Sequence, residues 1–124
     1  MTGSPRDLTA KDWQSSVLES TQPVAVAFWH EHCAWSKRLD SDLSGAATER
    51  STRIAFYKLN VSREPEITRR LGVMSTPTIK FFYGGREVYE IVGYRSRAAL
   101  LAEVDMVLAN YANCLSSSTP LGAR

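Results

Sequence analysis

The stretch "FWHEHCAWSK", residues 28–37, sets a single cysteine among groups able to change its acidity. Cys33 follows His30 and His32 and precedes Ala34, Trp35, Ser36 and Lys37. A thiol at the amino-terminal edge of a helix meets unpaired backbone N–H groups and the positive end of the helix dipole. These favour the thiolate and lower its pKa from about 8.5 to between roughly 3.5 and 7.5. Cys33 then has a physical reason to be a nucleophile; the alternative at this position is a buried, unreactive cysteine. A protonated His32 would stabilise the thiolate further near neutral pH. A metal centre of His30, His32 and Cys33 would lack a fourth ligand, because the chain has no other histidine. No metal and no cofactor are assigned.

The elements around Cys33 must place it at such a helix edge. Before it, "VAVAFWH" is a continuous apolar run of the kind found in a strand buried on both faces, so this strand is expected to be central. From Cys33 to about Arg50 there is no proline, and Leu39 and Leu43 share one face of the helix that follows. Upstream, Thr9 and Asp12 suggest a capping box opening a first helix over residues 8–20, with Trp13 and Val17 on its apolar side. Downstream, "RIAFYKLNV" reads as a strand and "EPEITRRLG" as a short helix with Pro65 in its first turn and Gly72 as its stop. "TIKFFY", Gly84-Gly85 and "EVYEIVG" then form an antiparallel hairpin. Ser96 caps a last helix whose Leu100, Leu101, Val104, Val107, Leu108 and Tyr111 recur at helical spacing.

A chain of 124 residues with 44% hydrophobic and 23% charged content is expected to be one domain. Its boundaries are read as a flexible amino terminus over 1–7, a domain over 8–112 and a flexible Ser-rich tail over 113–124. A net charge of +2 gives no basic footprint for nucleic acid, and no run is long enough to span a membrane. The amino terminus has no apolar signal segment, so a cytoplasmic, monomeric protein is expected. The second cysteine, Cys114, is read as an exposed tail thiol. "MSTPTIKFF" places Pro77 just before a strand, a setting in which a cis X-Pro bond occurs.

"VAVAFWHEHCAWSK", "FYKLNVS", "LGVMSTPTIKFFYGGREV" and "IVGYRSRAALLAEV" together resemble, in order and spacing, the thioredoxin family. The resemblance covers residues 8 to about 110 and implies the thioredoxin fold, an α/β architecture with a central mixed sheet flanked by helices. It implies that Cys33 attacks a substrate disulfide, that Pro77 is a cis-proline facing it, and that Ser75, Thr76, Gly93 and Tyr94 hold a substrate strand. It further implies protein disulfides as substrates, and a thioredoxin reductase or glutathione as electron donor.

The chain departs from the family pattern at several positions. Ser36 stands where the resolving cysteine would be, so no neighbouring thiolate can release a mixed disulfide on Cys33. Either a natural Cys-x-x-Ser site or a Cys-to-Ser substitution accounts for it. Ala34 and Trp35 replace the usual glycine and proline, and Trp35 can pack on an incoming peptide. Ala27 occupies the position of a buried aspartate, leaving Lys58 to pair elsewhere or reach solvent, with a bearing on thiolate tuning. Two functions follow as expectations: a disulfide oxidoreductase with a blocked resolving step, acting alone or through a monothiol route with glutathione; or a redox-inactive module that binds peptides around Trp35, Thr76 and Tyr94.

Overall fold

The computed structural model describes residues 5–116. A five-stranded sheet in the order β1-β3-β2-β4-β5 forms the centre, with β1 at Arg6–Asp7, β2 at Val24–Trp29, β3 at Ala55–Asn60, β4 at Thr78–Tyr83 and β5 at Arg86–Val92. Helices α1 (Ala10–Trp13), α2 (Ala34–Arg50), α3 (Pro65–Arg70) and α4 (Arg97–Ser116) cover it. This is the α/β architecture expected, a mixed sheet flanked by helices. Among the described residues no helix is long and apolar enough to cross a membrane.

β2 is the middle strand, parallel to β3 and antiparallel to β4. Its unbroken apolar run follows from that place, because both faces are covered. Val24, Val26 and Phe28 point to one face, where Trp13, Val17, Ile67 and Leu71 pack. Ala25 and Ala27 point to the other, under Leu39 and Leu43 of α2 and Leu100, Val104 and Val107 of α4. Alanines on that side leave room for two long helices to approach the sheet; bulkier side chains fill the face under the shorter ones.

Local signals set the connections. Gly84 and Gly85 have φ of 63° and 77°, which places both central residues of the hairpin turn in the left-handed region. Pro65 opens α3, and Gly72, at φ 70°, follows its end. Ser96 Oγ accepts a hydrogen bond from the Ala99 N–H at 3.3 Å, capping α4 as expected.

Four expectations are corrected. Arg6 and Asp7 belong to the sheet: they pair with Tyr57 and Lys58 of β3, so the stretch read as a flexible amino terminus contains an edge strand. Both are exposed, and their pairing is made by the backbone, so no alternation of side chains marks it. The expected capping box does not cap backbone: Thr9 Oγ1 donates to Asp12 Oδ2 at 3.2 Å. The first helix also changes pitch, since α1 runs on through a π-helical turn at Gln14–Leu18, closed by a hydrogen bond from the Glu19 N–H to the Gln14 carbonyl. Trp13 and Val17 are buried all the same. At the other end α4 continues to Ser116, past the boundary at 112, so Cys114 lies within the helix; its side chain and residues 117–124 lie outside those described.

Leu43, 2% exposed, anchors α2 to the sheet. Leu43→Ala is expected to destabilise the chain by about 2–5 kcal/mol, read as a lower urea midpoint at unchanged slope. An unchanged midpoint would mean that α2 is not held by this contact.

Candidate active site

The pairing of β2 brings two distant loops together. Phe28 lies opposite Leu59 in β3 and opposite Thr78 in β4, so the carboxyl end of β2 meets the amino end of β4. His30–Cys33 therefore adjoins Ser75–Pro77. The Thr76–Pro77 peptide bond is cis. Cys33 is the N-cap residue of α2, with φ −100° and ψ 114°, and its Sγ–H donates to the Thr76 carbonyl oxygen at 3.3 Å.

Cys33 is partly exposed, and its pKa is lowered to about 7. The Thr76 side chain contributes most, then the Ser36 hydroxyl; partial burial opposes them, and the backbone N–H groups of Ser36 and Trp35 add to them. The Thr76 carbonyl alone would favour the protonated thiol, but these donors outweigh it. The folded chain thus binds fewer protons than the unfolded chain between about 7 and the ordinary thiol value. Cys33 accordingly adds stability as pH rises through that window, and the contribution is lost as pH falls through about 7.

Ser36 is buried at 6% exposure, and its Oγ accepts from the His30 N–H at 3.4 Å. It lines a cavity of about 250 Å³ together with Ala27, Trp29, Asp40 and Lys58. The absent acid at Ala27 is answered in space by Asp40 on α2, whose Oδ1 lies 3.0 Å from Lys58 Nζ. Lys58 Nζ also stands 5.3 Å from the centre of the Trp29 ring. The largest influences on Cys33 come from Thr76, Ser36 and Trp35, ahead of any from Lys58 or His32. His32 is exposed, and its backbone N–H is tied to His30 Nδ1 at 3.1 Å.

Around the thiol, Trp35 is 55% exposed and its ring centre is 5.7 Å from that of Tyr94. The Gly93 N–H donates to the Pro77 carbonyl at 2.8 Å, so the loop bearing Tyr94 is fastened to the cis-proline loop. Gly93 has φ 94°, a conformation that favours glycine. The Ser75 carbonyl is engaged by Thr78 Oγ1 at 2.8 Å. Trp35, Thr76, Pro77, Gly93 and Tyr94 are thus gathered at one end of the sheet.

Several neighbours escaped the reading of the sequence. Met74 and Val92 are exposed at 92% and 54% beside the loops of the site. Arg38 stacks by Trp35 and Tyr94, and Asp42 accepts from the Tyr94 hydroxyl. Glu31, two residues before the cysteine, is lowered to about 2 by a backbone N–H and by Asn60, and is an anion throughout the neutral range. The i, i+3, i+7 spacing of Trp35, Arg38 and Asp42 was the available signal for a shared helix face.

The family model for thioredoxin matches residues 4–106. The chain belongs to the thioredoxin family. It is 39% identical over 114 residues to a thioredoxin of Mycobacterium tuberculosis, covering 89% of this chain and 98% of the relative. It is 38% identical over 101 residues to a thioredoxin of Streptomyces clavuligerus, covering 82% and 94%. It also matches a bifunctional thioredoxin reductase/thioredoxin of Mycobacterium leprae, at 36% over 104 residues, or 84% of this chain and 23% of that protein. Within this thioredoxin-family thiol-disulfide oxidoreductase, Cys33 is the free thiol among the described residues.

The rate of Cys33 alkylation by iodoacetamide should follow its thiolate fraction, with a midpoint near pH 7 in a Cys114→Ser background. Ser36→Ala should move the midpoint upward, because it removes a hydroxyl that favours the thiolate. A midpoint at the free-cysteine value of about 8.5 would show that these donors do not act on the sulfur.

Proposed function

We propose that this thioredoxin-family protein exchanges disulfides with other proteins through Cys33 alone. The thiolate attacks one sulfur of a substrate disulfide, a mixed disulfide forms on Cys33, and the other substrate sulfur leaves as a thiolate. With Ser36 at the resolving position, release needs a second thiol from outside, such as glutathione, which attacks the mixed disulfide. Catalysis by internal resolution is therefore closed to the chain as it stands.

The observation that carries this reading is the position of Sγ at the N-cap of α2, 3.3 Å from the Thr76 carbonyl next to the cis-proline. That placement leaves the sulfur partly open to a substrate while nearby donors keep its thiolate available at neutral pH. Ser75, Thr76, Pro77, Gly93 and Tyr94 are the residues proposed to line the substrate strand, and Trp35 supplies an exposed aromatic surface at its edge. A reductase is the natural donor for the family, and the bifunctional relative of Mycobacterium leprae is named for carrying both activities in one chain. A reducing, cytoplasmic setting and a monomeric state fit this chemistry.

Insulin reduction with dithiothreitol as donor tests the assignment. Ser36→Cys should speed precipitation of the insulin B chain well above the uncatalysed rate. Incubated with insulin in the absence of dithiothreitol, the chain with Ser36 should accumulate a Cys33-insulin mixed disulfide visible by mass spectrometry, since no external thiol is present to release it. If neither protein exchanges with insulin while both stay folded, disulfide exchange is the wrong reading, and noncovalent peptide binding at the same groove takes its place.

A further inference from the structure

Beside the reactive sulfur lies a cationic group supported on two aromatic rings. Arg38 Cζ is 5.7 Å from the centre of the Trp35 ring and 5.4 Å from that of Tyr94. Trp35 and Arg38 are three residues apart on α2, hence on one face, and Asp42 continues that stripe four residues on. The Asp42 carboxylate is engaged by the Tyr94 hydroxyl at 2.5 Å, which fixes the ring against which the guanidinium lies. Every ion-paired arginine or lysine resolved in the structure meets its acid elsewhere: Arg38 and its exposed neighbour Lys37 form no ion pair among the described residues.

The Arg38 guanidinium also donates toward the Tyr94 hydroxyl; a guanidinium has five N–H donors, and those left over on its edge fit a carboxylate. Its hydration is weak compared with that of an ammonium, so the group recognises an acid at modest desolvation cost. On the same rim Trp35 and Val92 are exposed apolar surface, the Asp42 carboxylate is engaged by the Tyr94 hydroxyl, and the Arg95 guanidinium near Gly93 is paired with Glu103. A partner strand reaching Cys33 past Trp35 therefore passes the Arg38 guanidinium, which has no ion-pair partner of its own among the described residues.

We propose that Arg38 is a specificity-determining residue that selects protein disulfides in which an acidic residue flanks the attacked cysteine. This rests on the disulfide exchange proposed above and names its substrate class. The chemical step is unchanged: the Cys33 thiolate bonds to the sulfur beside the acidic residue, and the second substrate sulfur departs as a thiolate. Arg38 acts on the encounter and the bound geometry, with no proton or electron passing through it.

The test uses disulfide-linked homodimers of one short peptide bearing Glu, Gln or Lys immediately before its cysteine. Mixed-disulfide formation on Cys33 is followed by mass spectrometry in single-turnover conditions, in a Cys114→Ser background. The Glu peptide should react fastest and the Lys peptide slowest, with a ratio of roughly five- to twentyfold that narrows as salt is raised. In Arg38→Gln the ratio should shrink to about twofold or less, and Arg38→Lys should restore part of it. Because each ratio is taken within one protein, a general change in thiol reactivity cancels.

Equal rates for the three peptides, or an order that Arg38→Gln leaves intact, would overturn the proposal. So would an Arg38-dependent gain for glutathione disulfide with none among the peptides, which would assign the site to a small thiol. The uncharged bis(2-hydroxyethyl) disulfide, run on the Arg38 protein, separates the two readings. If it exchanges while the peptides show no charge order, only the selectivity falls; if it too is inert, disulfide exchange falls with it.

Discussion

β2 is hydrogen-bonded on both edges to strands of opposite sense, and the site exists because of that. A parallel neighbour alone would lay the loop after β2 beside the loop after β3. The antiparallel β4 instead presents its beginning to the end of β2, so the chain enters β4 through Ser75–Pro77 where it leaves β2 toward Cys33. A one-residue slip in that register would turn Ala25 and Ala27 toward the face filled by Trp13 and Ile67, and expose Phe28 to the long helices. Packing on both faces thus fixes where Sγ and the Thr76 carbonyl meet, and the chemistry inherits its geometry from the core.

What the sequence declares about this arrangement is what is encoded locally. The apolar run of β2, the glycine pair of the hairpin, Pro65, Ser96 and the cysteine at a helix edge each carry their structural reason within a few residues, and each is where that reason places it. Lys58 and Asp40 are separated by 18 positions and Tyr94 and Asp42 by 52, so those partnerships depend on how far α2 stands from β3 and from the end of β5. No spacing rule supplies that distance. The edge strand at Arg6–Asp7 escaped for another reason: it uses backbone pairing alone and buries no side chain. The π-helical turn in the first helix has no mark that we can name in its residues.

The acidity of Cys33 illustrates a choice between two kinds of electrostatics. Fixed charges were the obvious candidates, with an imidazole next door and a lysine one strand away. The largest contributions that lower the thiol pKa come from neutral dipoles, the Thr76 and Ser36 side chains and the amides of the first turn of α2. Dipoles in contact act over a short range and are little affected by salt, whereas an exposed imidazolium is screened within a Debye length of about 8 Å at physiological ionic strength. The charge of Lys58 is met by Asp40, and its ammonium lies over the Trp29 ring.

Helix α2 divides these duties between two faces. Ser36, Asp40 and Leu43 recur at i, i+4 and i+7 and line the cavity over Ala27 and Lys58, while Trp35, Arg38 and Asp42 recur at i, i+3 and i+7 along the side of Tyr94. Cys33 sits at the tip that both faces share. The buried face governs how readily the sulfur ionises and whether a second thiol can stand behind it. The outer stripe meets Tyr94 and solvent and stands apart from the Ser36 side of the helix, so a change at Arg38 alters which disulfides arrive without disturbing the donors around Sγ. A protein whose outer stripe carried Lys or Glu in place of Arg38 would keep the same thiol and meet different partners. Selectivity and reactivity are then separable properties of one helix, because 3.6 residues per turn send neighbouring positions to different surroundings.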